Sequence, residues 1–260
     1  MFSLQIYYFP GTPVWGNAAL AYFRGMYAII TGASKGIGRA VAIKLAAEGF
    51  DIAICARNTA ALEEAKAAVT TQRQNVKVLA ETVDMSDKAQ VLAFGQKVRT
   101  YFGAAPAILV NNAGIFVPGA VHEEEDGHLE KMMAVNLYSA YHLTRDCLPG
   151  MKEARKGHIF NLCSTASHKA YPNGGSYSIT KFALLGFSQN LREELKPHNI
   201  KVTAISPGPT LTASWQGFDG PAERLMEPED VAAMIWAAYN LSQQAVVEEI
   251  LMRPMLGDIE

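Results

Sequence analysis

A chain of 260 residues, 49% of them hydrophobic, can bury one large core and suits a single α/β sheet covered on both faces. Its net charge of −2 argues for neither a nucleic-acid partner nor an anionic membrane surface, and no apolar run reaches the roughly 20 residues of a membrane span. Three cysteines, an odd number without metal-ligand spacing, point to a reducing, cytoplasmic setting and to no metal site.

Residues Met1 to Gly25 are rich in aromatics, Gly and Pro, and Arg24 is their only charge. Pro10, Gly11 and Pro13 interrupt the apolar stretch, and the basic start of a secretory signal is missing. These residues read as an extension ahead of one working domain over 26–260. An upstream start codon taken by mistake would explain them; an arm packed on the surface is the alternative.

From Met26 the pattern alternates between strands and helices. Strand Tyr27–Thr31 leads through a Gly-rich turn into a helix over Gly36–Glu48, with Gly49 where a helix C-cap belongs. Strand Asp51–Ala56, helix Thr59–Gln72, strand Val76–Val83 and helix Asp87–Tyr101 follow. Strand Ala107–Val110 precedes the turn Asn111-Asn112-Ala113-Gly114, then helical segments over Asp126–Val135 and Leu137–Lys152. Strand Gly157–Ser164, a loop, a helix carrying Tyr177 and strand Lys201–Ser206 come next. A looser Pro/Gly/Trp segment precedes Glu227-Pro228-Glu229, a helix start that runs to Leu241, and Val246–Leu251 is a last strand. Short apolar strands rich in Val and Ile, alternating with helices, indicate parallel strands buried on both faces. The expected fold is a doubly wound, Rossmann-type parallel sheet of about seven strands, which binds ligands at the carboxyl ends of its strands.

Two stretches carry chemistry. After the first strand, Thr31-Gly32-Ala33-Ser34-Lys35-Gly36-Ile37-Gly38 opens a helix, and glycines there let main-chain N–H groups approach a pyrophosphate. Tyr177 and Lys181 lie about one helical turn apart and share a face. An ammonium beside a phenol lowers the phenol pKa, and a Tyr so tuned exchanges a proton with a carbonyl oxygen. The hydroxyl of Ser164, at the end of its strand, can hold the same oxygen. With 10 Tyr in the chain, the Tyr-x-x-x-Lys pair alone carries little weight.

The ordered set Thr-Gly-x-x-x-Gly-x-Gly, Asn-Asn-Ala-Gly, Tyr-x-x-x-Lys and a later Pro-Gly, at domain-wide spacing over 26–260, resembles the short-chain dehydrogenase/reductase family of Rossmann-fold oxidoreductases. The resemblance implies Tyr177 as general acid/base, Ser164 as the residue that orients substrate, and Lys181 on the nicotinamide ribose. It implies Asn136 as the residue that interrupts a helix and holds a relay water. Gly32, Ser34, Lys35, Gly36, Ile37 and Gly38 would cradle the cofactor. Asn112, Ala113 and Gly114 would line it, Asp84 would meet its adenine, and Pro207, Gly208, Thr210 and Thr212 would adjoin its nicotinamide. Without the family, Asp84 reads as a helix cap before Ser86-Asp87 and Asn136 as a locally bonded helix residue.

Some positions depart from the family pattern. Cys163 stands where a second Ser is common and Ser167 where Gly is frequent; the segment between Thr212 and Pro228 is short, which implies a small lid. The chain lacks the Asp-Gly-Gly ending frequent in the fatty-acid reductase branch. His168, Lys169, Tyr171 and Trp215 are candidates to border the substrate.

Ala56 stands where an NAD site places an acid against the ribose 2′-hydroxyl, and Arg57 follows, with Lys35 nearby in the Gly-rich turn. An Arg fork and a Lys point charge suit a 2′-phosphate, so NADP(H) is expected over NAD(H). The expected activity is reduction of a ketone or aldehyde, or oxidation of a secondary alcohol. A 3-oxoacyl thioester reductase is the runner-up. A non-catalytic NADP-binding regulator is the rival of another class, and a methyltransferase on a related sheet is disfavoured. Leu184, Leu185, Phe187, Ser188 and Leu191 spread apolar residues over more of their helix than one sheet-facing stripe needs, which with the resemblance implies a homodimer or homotetramer.

Overall fold

The computed structural model describes residues 25–212 and 219–259. The expected extension, apart from Gly25, and Trp215 lie outside the described residues. Seven strands form one sheet: β1 (Tyr27–Thr31), β2 (Asp51–Ala56), β3 (Val78–Thr82), β4 (Ile108–Asn111), β5 (Gly157–Leu162), β6 (Ile200–Pro207) and β7 (Glu249–Met252). Their order is β3-β2-β1-β4-β5-β6-β7, and every pair is parallel. Helices are α1 (Gly36–Ala47), α2 (Thr59–Thr70), α3 (Lys88–Phe102), α4 (His128–Met133), α5 (Ser139–Ala154), α6 (Gly175–Leu195) and α7 (Pro228–Tyr239). This is the expected doubly wound Rossmann-type sheet.

Successive strand residues point to opposite faces, and both faces are covered. Ala28, Ile30, Ile52, Ile54, Ile108, Val110 and Phe160 meet Leu45 of α1, Leu62 of α2 and Ile235 of α7 in one core. Tyr27, Ile29, Ala53, Leu109 and Ile159 meet Phe94 of α3, Leu143 and Met151 of α5 and Leu195 of α6 in the other. Cys55, Cys147 and Cys163 are buried free thiols.

The cap signals hold. Gly49 takes a φ of +108° and its N–H donates to the Ala46 carbonyl at 3.1 Å, closing α1. Glu227 and Asp230 form a capping box around Pro228 at the start of α7. The edge strands β3 and β7 are each shorter than their apolar runs, and their outer residues are partly exposed; the internal β5 also stops at Leu162, two residues before the expected Ser164. The two helical segments expected on either side of Asn136 form one continuous helical run, α4 and α5 joined by a π-helical turn over Ala134–Tyr138.

Leu184, Leu185, Ser188 and Leu191 correct an expectation. All four are at most 9% exposed, covered by the chain's own core, so they do not form a second face. The large apolar side chains that α6 leaves exposed are Ile179 and Phe182.

Phe160, fully buried in β5, tests the packing. Phe160→Ala should lower the unfolding free energy by about 3–5 kcal/mol, read from the urea midpoint at unchanged slope. A loss under about 1 kcal/mol would mean that this side of the sheet is not packed to core density.

Candidate active site

In a parallel sheet every strand ends at the same rim, so the residues singled out by sequence converge there. Gly32 to Gly38 follow β1, Arg57 follows β2, Asp84 follows β3 and Asn112 to Gly114 follow β4. Ser164 follows β5, and Pro207 ends β6 with Gly208, Thr210 and Thr212 after it. Strand order reverses between β1 and β4, which opens a crevice between their turns.

Those two turns are tied to each other. The Thr31 hydroxyl accepts the N–H groups of Asn112 at 3.0 Å and Ala113 at 2.9 Å. The Asn112 side-chain amide returns donors to the carbonyls of Thr31 at 2.8 Å and Gly32 at 3.0 Å. The Asn112 amide, in a residue expected to line a cofactor, holds the turn. The approach explains the glycines. A Cβ on Gly32 (φ +66°) would lie 2.9 Å from Ala113 Cα, and one on Gly38 would lie 2.7 Å from the Gly32 carbonyl oxygen. Gly36 (φ +55°) faces Thr212, whose methyl would sit 3.1 Å from an added Cβ. Among the described residues, Lys35 just before α1 gives it no side-chain cap and the first turn holds no acid, which leaves the positive end of the helix open to an anion. That geometry fits a dinucleotide pyrophosphate.

Farther along the rim, Arg57 and Lys35 are exposed and no acid follows β2. Asp84 does not cap a helix; Asp87 does, accepting from Ala89 and Gln90 N–H. Asp84 accepts from the Ser86 N–H at 2.9 Å and hydroxyl at 2.8 Å, and these bonds, with a smaller contribution from Arg57, hold its carboxyl below its ordinary range.

Ser164 is 9% exposed and opens a 3₁₀ turn over Thr165–Ser167. Its hydroxyl accepts the Ala166 N–H at 3.1 Å, while the Ser167 hydroxyl accepts the Ser164 N–H at 3.2 Å. Ser167, which stands where Gly is frequent, thus locks the main chain under Ser164. Tyr177, half-buried in the first turn of α6, has Phe116 edge-on with ring centroids 4.9 Å apart.

Lys181 is buried, and its Nζ donates to the Leu162 carbonyl at 2.7 Å, 5.6 Å from the Tyr177 ring centroid. This arrangement corrects the expected electrostatics. Burial pushes the Tyr177 phenol up, and the Ser164 hydroxyl, not Lys181, pulls it back. Burial pushes the Lys181 ammonium down to about 8.

Asn136 is 1% exposed and lies inside the π-helical turn. Its oxygen accepts the Ile115 N–H at 2.8 Å, and its amide donates to the Ile115 carbonyl at 3.0 Å and the Thr180 hydroxyl at 2.9 Å. One lone pair of Oδ1 remains. Oδ1 and Lys181 Nζ approach one point at Gly114, 3.5 Å and 3.6 Å from where its Cβ would be.

The lesser candidates divide. His168 Nε2 turns to the Ser206 hydroxyl at 2.9 Å and Glu249 at 2.8 Å, anchoring the loop to β6 and β7. Lys169 is exposed, and Tyr171, 41% exposed, lies close enough for Tyr177 to raise its phenol further after burial has. Thr210 is buried, its hydroxyl donating to the Gly208 carbonyl. Sequence reasoning missed Thr31, Phe116, Thr180 and Glu124, whose partners lie far away in the chain. Thr31, at the head of the Gly-rich turn, and Thr180, between Tyr177 and Lys181, stood within motifs; Phe116 and Glu124 did not.

Comparison with known proteins agrees with this geometry. The short chain dehydrogenase family matches residues 26–220. The chain is 32% identical over 238 residues to a sepiapterin reductase of Chlorobaculum tepidum, covering 89% of this chain and 97% of that protein. Among solved structures it resembles an alcohol dehydrogenase of Thermococcus sibiricus complexed with 5-hydroxy-NADP, at TM-score 0.82 and 28% identity over 90% of this chain and 99% of that one. It also resembles an L-sorbose reductase of Gluconobacter frateurii complexed with NADPH and L-sorbose, at TM-score 0.81 and 29% identity over 89% and 96% of the two chains. A seven-stranded parallel sheet, a Gly-rich turn opening into α1 and a family match over residues 26–220 assign the chain to the short chain dehydrogenase family of oxidoreductases.

Proposed function

We propose that this protein is an NADP(H)-dependent carbonyl reductase or secondary-alcohol dehydrogenase with Tyr177 as general acid/base. The observation that carries the reading is the meeting of Ser164, Tyr177, Lys181 and Asn136 at the rim that also presents the open end of α1. The main chain of Gly36 to Gly38 would hold the pyrophosphate, with Gly114, Pro207 and Gly208 toward the nicotinamide end. Bound NADPH supplies the hydride. Ser164 and Tyr177 hold the substrate oxygen between two hydroxyls, and Tyr177 gives it a proton. A phenol raised by burial is protonated at neutral pH, the state that reduction requires. Lys181 and a water on the free lone pair of Asn136 Oδ1 return the proton to Tyr177. No helix among the described residues is long and apolar enough to cross a membrane. Three unpaired thiols suit a cytoplasmic setting.

Ile179 and Phe182 of α6, with Tyr138 and Tyr141 before and in α5, are exposed, and a groove of about 560 Å³ follows Val121, Tyr171, Ile179 and Phe182. These residues, rather than the Leu184–Leu191 stripe, support a homodimer or homotetramer. Sedimentation at micromolar concentration should show such an assembly; a monomer would end that reading.

NADPH oxidation across an aromatic diketone, a β-keto ester, a cyclic ketone and a keto sugar separates an enzyme from a nucleotide-binding regulator. Tyr177→Phe should lose about 100-fold or more in kcat on the best of these while binding NADPH normally. Near-normal turnover would sink the mechanism.

Cofactor choice is electrostatic, resting on exposed Arg57 and Lys35 with no acid after β2. Ala56→Asp with Arg57→Ile should move the NADPH/NADH ratio of kcat/KM by about tenfold or more toward NADH at low salt. A wild type that uses NADH equally well or better would overturn the assignment of Arg57 and Lys35.

A further inference from the structure

Glu124 lies within the acidic run Glu123-Glu124-Glu125, between β4 and α4. Its two neighbours are exposed; its own side chain is half-buried against the start of α6. Oε1 accepts the Ser176 main-chain N–H at 2.8 Å, and Oε2 accepts the Ser176 hydroxyl. Ser176 is the second residue of α6 and Tyr177 the third.

The first N–H groups of a helix have no partner within it, and a side chain just upstream commonly supplies one. Here that position is Gly174, which has no side chain to give, and Gly175 follows at a φ of +33°. The cap comes instead from 52 residues earlier in the chain. The surroundings are shaped to it. A Cβ on Gly175 would collide with Glu124 Oε1 and with the Gly119 carbonyl oxygen, and one on Gly119 would lie 2.7 Å from Glu124 Cγ. The Gly119 N–H also donates to the Asn173 carbonyl at 3.1 Å, just ahead of α6. The same β4–α4 segment supplies Phe116, packed edge-on to Tyr177. The Ser176 hydroxyl, then its N–H, hold the Glu124 carboxyl below its ordinary range, so the cap is an anion at the positive end of the helix.

We propose that Glu124 is a positioning residue for Tyr177: by capping the first turn of α6 from the β4–α4 segment, it sets the phenol against Ser164. This rests on Tyr177 as the general acid/base. A displacement of about 1 Å in a reacting group costs on the order of 100-fold in rate.

The test compares full-length wild type with Glu124→Ala, Glu124→Gln and Tyr177→Phe, using NADPH and the best ketone of the panel above. Glu124→Ala should lower kcat by about 10- to 100-fold with the NADPH Kd within about twofold. Its Ser176 amide should exchange with deuterium about tenfold faster or more. Glu124→Gln keeps an acceptor for the N–H, and the Ser176 hydroxyl can rotate to accept from its amide; it should recover kcat to within about threefold. The proposal is overturned if Glu124→Ala stays within about twofold of wild type, if kcat and NADPH affinity fall together, or if Gln is no better than Ala. An inactive Tyr177→Phe beside an unimpaired Glu124→Ala would sink this proposal alone. A wild type that reduces none of the panel, or an active Tyr177→Phe, would sink it together with the reading of Tyr177.

Discussion

A single hydroxyl, that of Thr31, joins the two turns on which the site is built. At the switch point the chain leaves β1 toward one face of the sheet and β4 toward the other, and the pairing of the two strands ends at Ile30 and Val110, so beyond it the turns are held by their own bonds. Thr31 accepts two main-chain N–H groups from the far turn, and the Asn112 amide answers with two donors. Each of those groups would otherwise be a polar atom partly withdrawn from water without a partner. Gly32 and Gly38 owe their lack of a side chain to this approach of turn to turn, before any ligand is considered. The crevice is therefore braced by its own hydrogen bonds, which fix where the open end of α1 points.

Much of this was legible in the sequence because the strands are buried on both faces. A strand such as Ile52-Ala53-Ile54-Cys55 can be nothing else when every side chain must meet a hydrophobic layer. Legibility failed at the sheet edges, where β3 and β7 meet solvent and an apolar run no longer marks where pairing stops. The motif residues of the site were readable, since each is set by its own turn or helix. The relations between them were not. Asn136 is held by Ile115, and the Ser176 N–H by Glu124, through contacts that no local spacing encodes. For Leu184 and Leu185, sequence periodicity alone could not say how much of α6 the sheet and loops already cover.

The electrostatics of the Tyr–Lys pair show the weight of burial. Spacing predicted an ammonium that lowers a phenol. In the fold, desolvation raises the phenol and lowers the ammonium to about 8, so each is pushed toward its neutral form. Lys181 is satisfied by the Leu162 carbonyl, which spares it an unpaired burial. For Lys181 the folded pKa lies below the unfolded one. The burial cost is thus fully present below about 8 and is relieved as pH climbs toward the ordinary lysine value of about 10.5.

The π-helical turn at Ala134–Tyr138 has a consequence for how the chain can change length. The Ser139 N–H reaches back five residues to the Ala134 carbonyl, so this turn contains one residue more than an α-helix would. Removing any one residue there would let an unbroken α-helix form, with every backbone bond satisfied. It would also rotate all that precedes it by about 100° relative to α5. Met132, now fully buried, would swing off the core, and Asn136 would lose its aim at Ile115 and Thr180. The segment thus trades a little backbone regularity for phase. It works as a fixed angular offset between two helical pieces, and that offset cannot be gained or lost in steps smaller than a whole residue.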